Sequence, residues 1–192
     1  VPGAELATDP DITVDGSVAT TDAAGNPGSA TDDHLYSVDT TAPLPTIVID
    51  DITPDNIVNA AESGTDIPVT GTVGGEFNDG DTVTLTVNGT DYTGTVDAAG
   101  VFSIDVPGTE LVADPDITVD GSVATVDAAG NPGSATDDHL YGVDTTAPIP
   151  TLVIDDITPD NIVNAAEAGT DIPVTGTVGG EFNDGDTVTL TV

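Results

Sequence analysis

Aspartate, glutamate and asparagine supply most of the side chains in this 192-residue sequence that can do chemistry, and they fall in dense groups. Asp50, Asp51, Asp55 and Glu62 crowd one stretch, and Glu76, Asp79 and Asp81 lie in GGEFNDGD. Asp114 and Asp116 flank a proline, Asp127 and Asn131 bracket DAAGN, and Asp39 and Asp144 each open a DTTAP segment. Such side chains present hard oxygens. Calcium takes six to eight of them in tolerant geometry, whereas magnesium demands a strict octahedron and keeps its waters. The same residue types also cap turns through local hydrogen bonds. Asp97 and Asp120 are assigned to that structural role. Density and placement assign the Asp50–Glu62 stretch, and Asp127 with Asn131 and Asp144, to metal.

The charge makes a counterion necessary. There are 35 acidic residues and no Lys or Arg, giving a formal net charge of −35. Carboxylates a few ångströms apart near a protein surface repel by roughly 3–4 kcal/mol per pair, and a whole domain is stable by only about 5–15 kcal/mol. Divalent cations, high salt or disorder would each relieve the repulsion. Disorder is disfavoured, because 37% of the residues are hydrophobic and they fall in alternating Val/Ile/Thr runs. With 19 acids in residues 41–145, about five Ca2+ per repeat would offset roughly ten charges.

Other chemistries find little material. No phosphate-neutralising side chain exists, which excludes nucleic acid and disfavours an anionic membrane surface. No apolar run reaches the length of a membrane span, so no membrane insertion by this segment is expected. With no Cys or Lys nucleophile, no His set against a Ser/Asp pair and no Trp to form a sugar platform, the chain is not expected to be an enzyme. His34 and His139, each beside an acidic pair, are read as solvated. Met is absent, so translation is expected to begin outside this sequence, and the absence of Cys removes disulfides as a staple.

The elements that must position these acids read as strands. Thr46–Ile49, Ile67–Val73, Thr82–Val87, Asp91–Val96, Val101–Val106, Ile117–Val123 and a last strand ending at Val143 alternate apolar and polar residues. Asn88-Gly89 between two of them is the hairpin signal of a type I′ turn. It accounts for the Asn88-Gly89-Thr90 sequon without a sugar. Asn59–Glu62 reads as one helical turn. Seven strands with frequent turn signals predict an all-β fold, a Greek-key immunoglobulin-like sandwich with fibronectin-type division into three and four strands. At one pole the loops after the first and fifth strands would bring Asp50, Asp51, Asp55 and Glu62 towards Asp114, Asp116 and the outgoing linker at Asp144. At the other, Glu76, Asp79, Asp81, Asp127 and Asn131 would meet the incoming linker at Asp39.

The pattern is tandem. Residues 1–87 recur as 106–192, a period of 105, with eight differences (Ala4/Thr109, Ala7/Val112, Thr8/Ala113, Thr21/Val126, Ser37/Gly142, Leu44/Ile149, Ile47/Leu152 and Ser63/Ala168), none of them acidic. Repeats of this length are domains in series. The DTTAP segments place the boundaries: residues 1–41 as the C-terminal part of one repeat, 42–145 as a complete repeat, and 146–192 as the N-terminal part of the next.

The run TDAAGNPGSAT…HLYSVDTTAP followed by IDDITPDNIVNAAE resembles the immunoglobulin-like extender repeats of large bacterial surface adhesins, of the RTX and biofilm-associated types. The resemblance covers essentially the whole chain. It implies Ca2+ bound within domains and at junctions, stiffening a chain that projects a ligand-binding tip from the cell. Carried over by motif, the implied ligands are Asp51, Asp55, Asn56, Asn59 and Glu62, with Asp127 and Asn131 for DAAGN and Asp144 for the linker. Asp22, Asn26 and Asp39 match in the preceding copy, and Asp156, Asp160, Asn161, Asn164 and Glu167 in the following one. The expected function is an extracellular, cell-surface spacer, with neighbouring repeats, and identical chains in a fibre, as partners. The alternative is a module that binds carbohydrate or protein through its pole loops, for which three Tyr and three Phe supply few aromatics.

Overall fold

A computed structural model describes residues 1–192. The chain forms two compact units, one of Val1–Val58 with Glu62–Val143, the other of Asn59–Ala61 with Asp144–Val192. In chain order the elements are helix α1 (Gly3–Leu6), the hairpin β1 (Thr13–Thr21) and β2 (Pro27–Leu35), then β3 (Pro45–Ile49), the short β4 (Ile57–Asn59), β5 (Asp66–Gly75), β6 (Thr82–Val87), β7 (Thr90–Thr95) and β8 (Val101–Pro107). Helix α2 (Gly108–Ala113), β9 (Thr118–Val126), β10 (Pro132–Leu140) and the short β11 (Gly142–Asp144) follow.

Alternation along the strands makes the sandwich. In β3, Ile47 and Ile49 point inward while Thr46 and Val48 are exposed; β8 buries Phe102, Ile104 and Val106, and β6 buries Val83, Leu85 and Val87. Strands β3, β5 and β8 form one antiparallel sheet, and β10, β9, β6 and β7 the other, in the order given. This is the three-plus-four division expected from the tight hairpin at Asn88-Gly89. Asn88 and Gly89 both have positive φ (49° and 72°), as the tight turn between β6 and β7 requires. Two glycines on inward-facing positions serve packing: a Cβ on Gly71 would collide with the Phe102 ring and the Val48 carbonyl, and one on Gly121 would lie 2.7 Å from Ile49 Cδ1.

Four local expectations change. The segment after β8 is not an open loop but contains α2, whose Leu111 is fully buried and anchors it to the core. The helical turn expected at Asn59–Glu62 forms as a 3-10 turn at Glu62–Gly64. Ile117 adopts φ 49° and lies outside β9. The last strand does not run unbroken to Val143. It ends at Leu140, because Tyr141 turns into the core and Gly142 N–H donates to the Asn56 carbonyl at 2.8 Å.

Sequence identity reproduces local geometry in the other copies. The β1–β2 hairpin pairs Thr13 with Leu35 as β9–β10 pairs Thr118 with Leu140. In the second unit, β12 (Pro150–Ile154) pairs antiparallel with β13 (Gly176–Gly180), with a 3-10 turn at Glu167–Gly169. No helix is long and apolar enough to cross a membrane.

Candidate functional site

The acidic segment between β3 and β5 is shaped mostly by its own hydrogen bonds. Ile49 N–H donates to Asp137 Oδ2 of β10 at 2.9 Å, and Asp50 is held against β5 by a bond from Thr70 Oγ1 to its Oδ2 (2.9 Å). Thr53 Oγ1 and Ile57 N–H both donate to Asp55 Oδ1, at 3.0 and 3.2 Å. Asn56 takes the left-handed conformation with φ 57°, which Asn tolerates better than most residues. Asn59 Oδ1 accepts from Ala61 N–H at 2.9 Å.

Asp50, Asp51, Glu62 and Asp66 line one open depression together with His139. His139 is not the freely solvated residue its sequence surroundings suggest. Only 21% of its side chain is exposed, and its Nε2 lies 3.2 Å from Asn56 Oδ1 and 3.5 Å from Asp51 Oδ1. His34, lacking that neighbourhood, is exposed.

Asp114 and Asp116 do not line this depression. Asp114 instead turns inward, 6% exposed, where its Oδ2 accepts from Tyr141 Oη and Thr118 N–H, each at 3.3 Å. Burial, followed by the hydrogen bond and charge of Asp116, raises its carboxyl above the ordinary carboxylate range. Burial likewise raises the Tyr141 phenol, whose hydroxyl donates to the Leu111 carbonyl at 2.7 Å.

At the opposite pole, Asp39, Glu76, Asn78 and Asp127 line a second depression. The incoming linker is fastened there: Leu44 N–H donates to Glu76 Oε2 (3.0 Å), and Asn131 Nδ2 to the Asp39 carbonyl (3.2 Å). Asp79 is not among the lining residues, and Asp81 caps the loop by accepting from Asn78 N–H at 2.6 Å. Asp39 and Asp144 each accept from the N–H two residues on, Thr41 and Thr146, at 3.0 Å.

The DAAGN acids are turn caps as well. Asp127 Oδ1 accepts from Ala129 and Asn131 N–H (2.9 and 2.8 Å), and its Oδ2 from Asn131 Nδ2 (2.8 Å). Asp22 and Asn26 repeat the arrangement, and Asp97 shares its backbone half. The Asn side chain first, then the loop N–H groups, hold Asp22 and Asp127 below the ordinary carboxylate range. In the second unit, Asp160 repeats the bonds of Asp55, Asn161 accepts from Ile157 N–H within its own loop, Asp156 is exposed, and Asn164 with Glu167 forms a reciprocal capping box.

No three acidic or histidine side chains come close enough together to form a ready metal cage. By donor type the loops fit Ca2+. Asp51, Asp55, Asp116, Asp39, Asp144 and Asp156 are exposed carboxylates, and no sulfur and only two imidazoles compete. Sequence reasoning did not find Asp137, Asn78 or Tyr141, which act across long separations. Asn78 Nδ2 reaches Val126 O at 2.9 Å from 48 residues away, and no local signal marks such a bond.

No protein-family model and no curated protein matches the chain. Solved structures do. A Ca2+-stabilized adhesin that helps an Antarctic bacterium reach out and bind ice is 41% identical over 94% of this chain and 43% of its own, with a TM-score of 0.81. A 1.5-MDa bacterial ice-binding adhesin, solved for its host cell surface retention, is 40% identical over 94% of this chain and 56% of its own, at 0.71. A bacterial immunoglobulin-like domain from the M. primoryensis ice-binding adhesin is 43% identical over all of its length and 55% of this chain, at 0.49. This chain spans about half the length of the first two solved adhesin chains. It belongs to the family of immunoglobulin-like extender repeats of large bacterial surface adhesins.

Proposed function

We propose that this chain is part of the extracellular spacer of a cell-surface adhesin, a series of β-sandwiches made rigid by Ca2+ at their loops and junctions. The observation that carries this reading is the 41% identity over 94% of the chain to a Ca2+-stabilized adhesin, in a sequence whose charge of −35 has no internal cation to balance it. On this reading the repeats divide at 41/42 and 145/146, and neighbouring repeats are the principal partners. Identical chains side by side in a fibre are a further proposed association.

Asp51, Asp55, Glu62 and Asp116 would hold ions at one pole of each sandwich, and Asp144 would be a ligand within the outgoing linker. Asp39, with Asp127, would do so at the other. Asp156, Asp160 and Glu167 repeat the first set. Asp22 repeats Asp127 in the preceding copy, and Asn131, Asn26, Asn59 and Asn164 shape the loops that present these carboxylates, through the hydrogen bonds described above. Bound Ca2+ supplies positive charge and up to eight oxygen contacts. The residues supply position: the bonds from Leu44 to Glu76 and from Asn131 to Asp39 hold the linker against two loops, and an ion bound there would remove the linker freedom that remains.

Small-angle scattering and thermal melting of the chain, with Ca2+ and then EGTA, test the proposal. The expected result is a loss of maximum dimension and of Tm on chelation. Unchanged scattering and melting would refute the role of calcium.

A further inference from the structure

We infer that Asn56 is not a calcium ligand but a metal-independent latch that takes tension at the exit of the sandwich; the inference rests on the spacer reading, since only a spacer is pulled from its ends. All the polar groups of Asn56 are engaged. Its N–H donates to the Thr53 carbonyl (2.9 Å), and its Oδ1 accepts from Ile52 N–H (3.2 Å) and faces His139 Nε2 (3.2 Å). Its Nδ2 donates to the Leu140 carbonyl (2.9 Å), and its own carbonyl accepts from Gly142 N–H (2.8 Å). One residue of the β3–β5 segment thus grips both sides of the point where β10 ends.

The backbone of Asn56 is held at φ 57°. Non-glycine residues keep such a conformation where the surroundings over-determine it. Asn161, one period later, has φ 54° and the same bonds to its own loop, from Ile157 N–H to Oδ1 (3.2 Å) and from its N–H to Thr158 O (2.9 Å). The conformation therefore belongs to the repeat.

The geometry of load gives the latch its role. Pro43 abuts Gly133 near the start of β10, and Ile49 N–H meets Asp137 further along it, so β3 and β10 run in the same direction. Tension enters before β3 and leaves after β10, and shears the two strands along their length. Peeling residues 140–142 outward must break both Asn56 bonds and the Tyr141–Leu111 bond together. Bonds loaded in parallel resist more than the same bonds broken in turn, and forced unfolding is governed by the unfolding rate.

Constant-force unfolding of the full chain in EGTA, pulled by its termini, tests this. Asn56→Gly keeps the backbone conformation and removes the side chain; it should speed unfolding about tenfold, the effect of one to two net hydrogen bonds. Asn56→Asp, which a calcium ligand would tolerate, should speed it comparably, in Ca2+ as in EGTA. Pulled instead between the N-terminus and the β6–β7 turn, which leaves β10 unloaded, Asn56→Gly should unfold like wild type. Equal acceleration in both directions, or none when pulled by the termini, overturns the latch. Should Asn56→Gly not fold, Tyr141→Phe must show the same directional effect. The outcome in EGTA is independent of whether chelation alters the wild type, so failure of the latch and failure of the calcium reading are separable.

Discussion

At the scale of single residues, an acid in this chain can be a turn cap, a strand tie or a buried cost, and only its partners tell which. Asp127 and Asp97 accept loop N–H groups and Asp137 holds β3, but Asp114 lies in the core with Asp116 beside it. Its folded pKa is raised, so the folded state binds a proton more tightly than the unfolded chain. At neutral pH the ionised folded carboxylate therefore costs stability, and the cost disappears as pH falls through the raised value. Asp114→Asn keeps an oxygen for Tyr141 and Thr118 and removes the charge. In EGTA its Tm should exceed that of wild type at pH 7, and the difference should shrink on acidification. A lower Tm at pH 7 in EGTA would show that the charge itself stabilises the site. Asp127 has the opposite sign: its folded pKa is depressed, so its contribution is present above the ordinary carboxylate range and is lost as pH falls through the lowered value.

At the scale of elements, β9 and β10 set Asp120 directly opposite Asp138, and β1 and β2 set Asp15 opposite Asp33. Like charges directly opposite in such cross-strand pairs are destabilising. Asp138→Thr should therefore raise the denaturation midpoint of the chain at low salt, by less at 1 M NaCl; a lowered midpoint would mean that the pair is held by something that needs both carboxylates. The strands carrying these pairs were legible in the sequence, because an inward Val119 and Val123 alternate with outward Asp120 and Ser122 and the two faces of a sheet differ in environment. The Asn88-Gly89 turn was legible for an equally local reason. Helix α2 was not: six residues hold little periodicity, and what fixes the helix is the burial of Leu111 in a core assembled from distant strands. The acidic loops were legible as oxygen-rich, but not in their division of labour. The bond from Asn56 to Leu140 spans 84 residues and lies next to the buried Tyr141, whose hydroxyl donates to the Leu111 carbonyl.

At the scale of the molecule, 35 acids without a Lys or Arg make the folded state a problem of counterions. Two ways of relieving it differ in how they depend on concentration and ion type. Screening acts on every exposed pair and grows smoothly as the Debye length falls from about 30 Å at 0.01 M salt to about 3 Å at 1 M. Site binding instead stabilises by mass action, rises with the logarithm of free ion once above Kd, and discriminates between ions by size and hydration. In EGTA, Tm should climb steadily with NaCl. In millimolar Ca2+ it should start higher and depend less on NaCl, because the carboxylates that repel most are already neutralised where the loops gather them. Mg2+ at equal concentration has the same charge and screens equally, but it releases its waters reluctantly, so its curve should lie between the two. Superimposed Ca2+ and Mg2+ curves would mean that the loops act as a diffuse anionic surface, and rigidity along the array would then have to come from the linker bonds of Glu76 and Asn131 alone.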